Sequence, residues 1–548
     1  MGVTRERVIP PLSVAVILIA LTKLVLHLYA GRHYGYFIDE LYYLACGRNL
    51  AAGYVDQPPL IALIAAAVRV TLGQSLAAIR FLPAVAGAAM VLLTGLIARE
   101  LSGGRFAQAL AALCALVAPG LLGIDSLFTM NAFEPLSWMG CAYMVIRILR
   151  TGNQERKAAR TSSRHIGEEL LRENAARGAP YCANAAKLWL WFGVLAGIGL
   201  ENKHSMLIFG CGIVVGLLAT RERRQLLSPW LWIGGLIAFV IFLPNLLWNV
   251  RNHFPFLELQ ANIQRSHRNV DLPPLKFLAQ VILTMLPLTL PVWLAGLWYF
   301  FFGEKGRLFR VLGWAWLVVM AIVMIANPRV YYVFPAFPML FAAGGVQWEI
   351  WLAAPKWQRT GRSIAVAWMA AMLLIGAIFA PFAAPLLPVE TYIRYAQALH
   401  FEPPRIERFK LGPLPQLYAD QFGWEDMVAA VARVYNGLPP DVRAKTAIFG
   451  QHYGQSGAVD LFGPKYGLPR AISGHQTYYL WGPRGYTGES MIVMSGNQAD
   501  LESKFAYVEK VAHVGHPYAM PYEHFDIFYC RGLKWPLKDY WLNVKHWD

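Results

Sequence analysis

The stretch YFIDELYYLACGRNLAAGYVDQPPL, residues 36–60, sets Asp39 and Glu40 side by side and then adds Asp56. It follows an apolar run long enough to cross a membrane. Carboxylates that close to hydrocarbon are expensive and mark functional sites. Neighbouring residues on a helix point about 100° apart, so Asp39 and Glu40 do not form a symmetric dyad on one bond. Both are catalytic candidates. In the sharper reading Asp39 is the general base that deprotonates an acceptor hydroxyl or amine, and its neighbour caps or ion-pairs. Ile38-Asp39-Glu40-Leu41 equally fits a helix N-terminus, where carboxylates meet the positive end of the dipole. In GYVDQPPL, Asp56 and Gln57 precede two prolines that force an extended turn. The segment is either loop punctuation or a rigid rim of the same cavity, with Tyr42, Tyr43 and Tyr54 as further substrate contacts.

Cations complete the set. Lys203 in GLENKHSML is placed either to snorkel or to hold a lipid phosphate, with His204 beside it. Arg329 in NPRVYYVFPAFP is followed by Tyr331 and Tyr332, and a guanidinium suits bidentate phosphate contact. Asp125 and Asn131 lie in the turn GIDSLFTMNAFEPL, with Glu134 one turn into the next helix; capping explains much of their placement. The chain has no Walker motif, no GxGxxG after a strand and no cytoplasmic DxD for a nucleotide sugar. Carboxylates with separated Lys and Arg suit a phosphate-bearing substrate that enters from the membrane. No cofactor is required for such chemistry; a divalent metal is compatible with it, but no ligand spacing indicates one.

These residues need a membrane scaffold. Of 548 residues, 56% are hydrophobic and 15% charged, against about 25% charged in soluble domains. Apolar segments run over 10–30, 76–98, 106–124, 130–149, 188–202, 204–221, 228–247, 277–302, 309–326, 331–350 and 363–385. They predict a mainly α, polytopic transmembrane bundle of about eleven spans. Residues 58–72 read as a short juxtamembrane or re-entrant helix. The net charge of +16 does not point to nucleic acid, because Lys and Arg concentrate in alternate loops. Those loops are expected in the cytoplasm, with the N-terminus inside and a long first loop bearing Asp39 outside. The polar stretch 151–186 is expected to be a cytoplasmic loop with a short helix at GEELLREN.

The expected domains are 1–385, the transmembrane part, and 386–548, an extracytoplasmic soluble α/β or α+β domain. In the second, TAIFG and SMIVMSG read as strands and DQFGWEDMVAAVARVYNGL as a helix. Cys46 and Cys530 are able to pair if both lie outside, although sequence does not fix connectivity.

Taken together, the Asp39-Glu40 pair with Tyr42 and Tyr43, GYVDQPPL, TMNAFEPLSW, GLENKHSML and NPRVYYVFPAFP resemble the C-type superfamily of integral-membrane glycosyltransferases that use polyprenyl-phosphate sugars. Within it the chain is similar to bacterial relatives of protein O-mannosyltransferases and of lipid A aminoarabinose transferase. The resemblance spans roughly residues 10–350. It implies a polyprenyl-phosphate-linked monosaccharide donor at the outer leaflet of the bacterial plasma membrane. It implies Asp39 as base, inversion at the anomeric carbon, and a phosphate gripped by Lys203 and Arg329. The acceptor is left open among glycan, lipid and protein. Gln57 stands where relatives often have Lys or His, and Asn131 where they often have Asp. Two other readings compete: a lipid or sugar transporter, which would show inverted repeats and broken midplane helices, and a non-catalytic glycan-binding scaffold.

Overall fold

The computed structural model describes residues 10–163, 183–266, 268–326, 329–357, 360–403, 405 and 407–548. The short helix expected at GEELLREN lies outside them.

The chain opens with helices α1 (Val14–Ala30), α2 (Ile38–Arg48), α3 (Leu60–Thr71) and α4 (Leu76–Glu100). Then follow α5 (Arg105–Val117), α6 (Pro119–Asp125) and α7 (Met130–Ser163). Helix α2 is the one that carries the paired carboxylates, and α3 is the short helix expected over 58–72. Among the described residues, five helices are long and apolar enough to cross a membrane, or up to seven if each of two bent pairs is one span. Eleven apolar segments therefore do not translate into eleven such helices. The segment 106–124 bends by 65° at Ala118, just before Pro119, and 277–302 bends by 92° before Pro287. Proline lacks the N–H and clashes with the preceding turn, so it ends a helix there. Three further apolar helices, α1, α3 and Met206–Leu218, are shorter.

Among the helices sits one extensive apolar core, built on α4, α5, α7 and the helices Leu290–Phe301 and Phe337–Leu352. It carries a buried ion pair, Lys23 of α1 with Asp125 of α6 at 2.6 Å. Desolvated charges of this kind persist only when paired and hydrogen-bonded. The Lys23 ammonium also lies 3.4 Å from the carbonyls of Ala115 and Leu121.

Toward the C-terminus a four-stranded sheet has the order β1-β2-β4-β3: β1 (Thr446–Gly450), β2 (Ser490–Met494), β3 (Phe505–Val514) and β4 (Phe525–Leu533). The β1–β2 pair is parallel and the other two are antiparallel. TAIFG and SMIVM are the two strands expected from sequence, and every residue in both is buried. Strand β3 is an edge with half of its residues exposed, and neither it nor β4 was anticipated. The expected helix forms as Trp424–Gly437. Cys46 and Cys530 do not pair: both are buried free thiols in separate apolar clusters.

One face of the sheet region reaches α2. The helix Tyr453–Phe462 packs along it because two glycines face it. A Cβ at Gly454 would lie 2.4 Å from Ile38 Cγ1, and one at Gly457 would lie 2.9 Å from the Leu41 backbone. Only a residue without Cβ permits that approach.

Candidate functional site

The first turn of α2 disposes its two carboxylates in opposite ways. Glu40 is fully buried. It accepts from Arg80 Nε and Nη2, both at 2.8 Å, and from the backbone N–H of Phe37 and of Phe128, also at 2.8 Å. Arg80, inside the apolar α4, also donates to the Gly35 carbonyl at 2.8 Å and to Gln421 Oε1 at 3.3 Å. Glu40 thus ties α2, α4 and the turn before α7 together. Glu40, expected as a second catalytic candidate, has both oxygens held by fixed donors.

Asp39 is half-buried, and its Oδ1 accepts from the Tyr453 hydroxyl at 2.7 Å. Among the described residues, none makes an ion pair with it and no protein donor reaches Oδ2. Burial raises its pKa above the ordinary carboxylate value; the Tyr453 hydrogen bond and the charge of Arg329 oppose that shift. Tyr453 is itself fixed by stacking. Its ring lies between those of Tyr42, at 4.7 Å, and His475, at 4.9 Å. Its backbone N–H donates to His475 Nδ1 at 3.2 Å.

Asp56 lies on the other side of Tyr42, whose hydroxyl donates to Asp56 Oδ1 at 2.8 Å and lies 2.6 Å from Thr477 Oγ1. Burial pushes Asp56 up to about 7, and the negative charge of Asp39 adds to that rise against the Tyr42 hydrogen bond. Tyr43 is buried beside them, edge-on to Phe128. Two further residues expected as substrate contacts, Tyr54 and Gln57, touch the loop itself. The Tyr54 hydroxyl lies 3.2 Å from the carbonyls of Cys46 and Asn49 and from the Ala51 N–H. Gln57 is buried, with its amide toward Cys46 Sγ at 3.8 Å and its Oε1 without a partner.

Lys203 follows the helix Ala183–Asn202 and is enclosed. Its ammonium donates to Asn131 Oδ1 at 2.8 Å and Glu134 Oε2 at 2.9 Å. It also lies 4.1 Å from the Tyr332 ring centre and 5.0 Å from that of Tyr331. The expected Lys203, Asn131, Tyr331 and Tyr332 therefore do meet, but Glu134 neutralises the cation. His204 is set aside from them, 3.3 Å from Asn245 Oδ1. Asp125, also expected as a substrate contact, is not brought to this group: its carboxylate pairs with Lys23.

The unbalanced positive charge sits at Arg329. It ion-pairs with Glu407, which also meets Arg268 Nε at 3.0 Å. Burial alone would raise the Glu407 pKa, but Arg329 and Arg268 outweigh it and hold Glu407 below its ordinary value. Two guanidiniums against one carboxylate leave a net cation. It borders an apolar cavity of about 200 Å³ whose wall includes Leu283, Phe334, Phe379, Phe382 and Phe401.

Sequence reasoning missed Arg80, Arg268, Glu407, Tyr453 and Thr477. Arg80 had a usable signal, a lone cation within an apolar run. As for metals, His475, His546 and Asp548 offer ligand atoms within 4.8 Å of one another. A cation there would compete with the Gln451 carbonyl, 2.7 Å from His546 Nε2.

The sequence matches the family model described as dolichyl-phosphate-mannose-protein mannosyltransferase over residues 56–157 and 181–248. No curated protein matches it. Among solved structures it is similar to ArnT from Cupriavidus metallidurans bound to undecaprenyl phosphate. The identity is 15% and the TM-score 0.59, covering 94% of this chain and 97% of that one. The apo state of the same protein gives 16% and 0.56, with the same coverage. A third similar structure is AglB, the oligosaccharyltransferase of Archaeoglobus fulgidus, at 12% identity and TM-score 0.49, covering 87% of this chain and 69% of that one. At these identities the likeness to ArnT is one of fold.

Proposed function

We propose that this chain, whose fold is that of the C-type integral-membrane glycosyltransferases, moves a monosaccharide from a polyprenyl-phosphate donor to an acceptor at the outer face of the bacterial plasma membrane. Asp39 is the general base. The observation that carries this reading is the contrast on α2: Glu40 is closed off by Arg80, while Asp39 keeps an oxygen free and an elevated pKa. A carboxylate with a raised pKa, deprotonated at working pH, is a stronger base than an exposed one.

The acceptor O–H gives its proton to Asp39 Oδ2 as the acceptor oxygen attacks the anomeric carbon. The bond from that carbon to the donor phosphate oxygen breaks, and polyprenyl phosphate leaves with the electron pair. The configuration inverts. Arg329, supported by Arg268, meets the charge that grows on the leaving phosphate. The isoprenoid follows the apolar cavity beside Arg329. Lys203, enclosed by Asn131, Glu134, Tyr331 and Tyr332, orders the neighbouring wall. Tyr453 holds Oδ1 so that Oδ2 faces the acceptor. The N-terminus is cytoplasmic in this reading, and residues 386–548 form the extracytoplasmic domain that supplies Tyr453 and Thr477.

The reading is tested by loss of label from radiolabelled polyprenyl-phosphate hexose or pentose, with membrane extract supplying acceptors. Wild type releases the label and Asp39→Asn does not. Binding without release by wild type would favour a carrier or scaffold.

A further inference from the structure

Helix α2 ends at Arg48, nine residues beyond Asp39, a rise of roughly 14 Å. There it meets a second cavity, of about 370 Å³, lined by Arg48, Arg69, Gln74, Asp460 and Arg470 among others. That volume suits a small polar headgroup rather than a single water.

Three guanidiniums line this cavity with one carboxylate, Asp460, among them. Arg48 donates to the Asp460 carbonyl and to Gln74 Oε1, the latter at 2.9 Å. Arg470 has one long contact, to Asn49 Oδ1 at 3.4 Å. Arg69 is exposed at the end of α3, with no hydrogen bond or ion pair to another described residue. The Asp460 oxygens accept from the Ala471 N–H and the Tyr478 hydroxyl, both at 3.0 Å, and its charge acts on Arg48, so one carboxylate stands against three guanidiniums. No described acid makes an ion pair with any of the three arginines. Gln74 Nε2 is buried and lacks an acceptor. Donors thus outnumber acceptors in the cavity, and an anion with several oxygens satisfies them.

The surroundings give the depth. Leu50, Leu63, Val70 and Leu72 flank these arginines in sequence and are 56%, 47%, 78% and 50% exposed. Apolar side chains of a short surface helix, next to outward arginines, put the cavity at the headgroup level of a bilayer. Guanidiniums bind phosphate there in a bidentate fork, strengthened by the partial desolvation of Arg48.

We propose that Arg48, Arg69 and Arg470 form a phosphate-binding site, distinct from the Asp39 centre, that takes the phosphorylated headgroup of a membrane lipid. The same chemistry would accept free phosphate, so the test separates the two sources. Delipidated full-length protein in detergent is titrated calorimetrically with dihexanoyl phosphatidic acid and, separately, with inorganic phosphate. Arg69→Gln/Arg470→Gln is expected to weaken the lipid by about tenfold or more, the loss of at least one charge-assisted contact. Wild-type affinity should also fall with added salt. Both substituted side chains are exposed, so the thermal midpoint should not move. Asp39→Asn should leave the titration unchanged, which separates this site from the proposed reaction. Inorganic phosphate binding as tightly as the lipid would overturn the headgroup assignment. No binding of either probe, or equal binding by the double variant, would overturn the site itself.

Discussion

Glu40 accepts four hydrogen bonds within the protein, two of them from Arg80, while Asp39 beside it accepts one, from Tyr453. The same division separates the larger regions. The interior of the bundle holds Lys23 and Asp125 as a closed pair with backbone carbonyls around the ammonium. The face reached by the helix Tyr453–Phe462 holds Asp39, Asp56 and the Arg268–Glu407–Arg329 group with unequal charge and open valences. Buried charge alone does not mark chemistry. Closed clusters hold the fold together, and a partly buried group with a free lone pair is the candidate for chemistry.

The contrast is sharpest at α2. Asp39→Asn removes the proposed base and should lower turnover by about 10²–10⁴-fold, while the thermal midpoint stays near wild type. Arg80→Ala should do the reverse. It strands the Glu40 charge in the interior and should destabilise by about 3–5 kcal/mol, read as a drop in the midpoint of thermal unfolding and in the yield of folded protein. A large selective loss of activity in a stable Arg80→Ala protein would erase the distinction.

Smaller effects refine it. Arg329→Lys keeps the charge but loses the guanidinium fork that meets the growing phosphate charge, and should lower kcat by about tenfold with less change in the donor KM. Tyr453→Phe removes one hydrogen bond to a carboxylate and should lower kcat by about threefold to tenfold. Its pH profile is more informative. The Tyr453 hydrogen bond lowers the Asp39 pKa against the effect of burial, so its loss raises that pKa further. Activity needs the deprotonated base, so the acidic limb should move to higher pH. A merely structural tyrosine would lower activity without moving that limb. Asp56, pushed up to about 7 by burial, should contribute a second titration near neutrality that Asp56→Asn removes.

Several of these residues were legible because they lie in short, unusual strings. Asp39 and Arg329 stand among aromatics or prolines at the end of an apolar run, and Lys203 stands among polar residues between two apolar runs. Their partners were not legible. Arg80 lies 40 residues from Glu40, and Tyr453 lies 414 from Asp39. No local periodicity encodes such pairings. The partners of Tyr54 and Asp125 were hidden for a related reason, since polar type and position near a helix end do not tell whether a backbone carbonyl or a distant lysine already holds the group. In the fold, β1 and β2 were readable as short apolar runs. Strand β3 was not, because Glu509 and Lys510, which an exposed edge tolerates, interrupt its apolar run FAYVEKVAHV. The apolar segments predicted helices well but not where prolines break them.

The most direct test of the central claim compares Asp39→Asn with Glu40→Gln in nanodiscs, following release of radiolabelled sugar from polyprenyl phosphate with acceptor extract present. The account predicts release by wild type, none by a stably folded Asp39→Asn, and a Glu40→Gln defect that tracks its fraction of unfolded protein. Release by Asp39→Asn at the wild-type rate would contradict it.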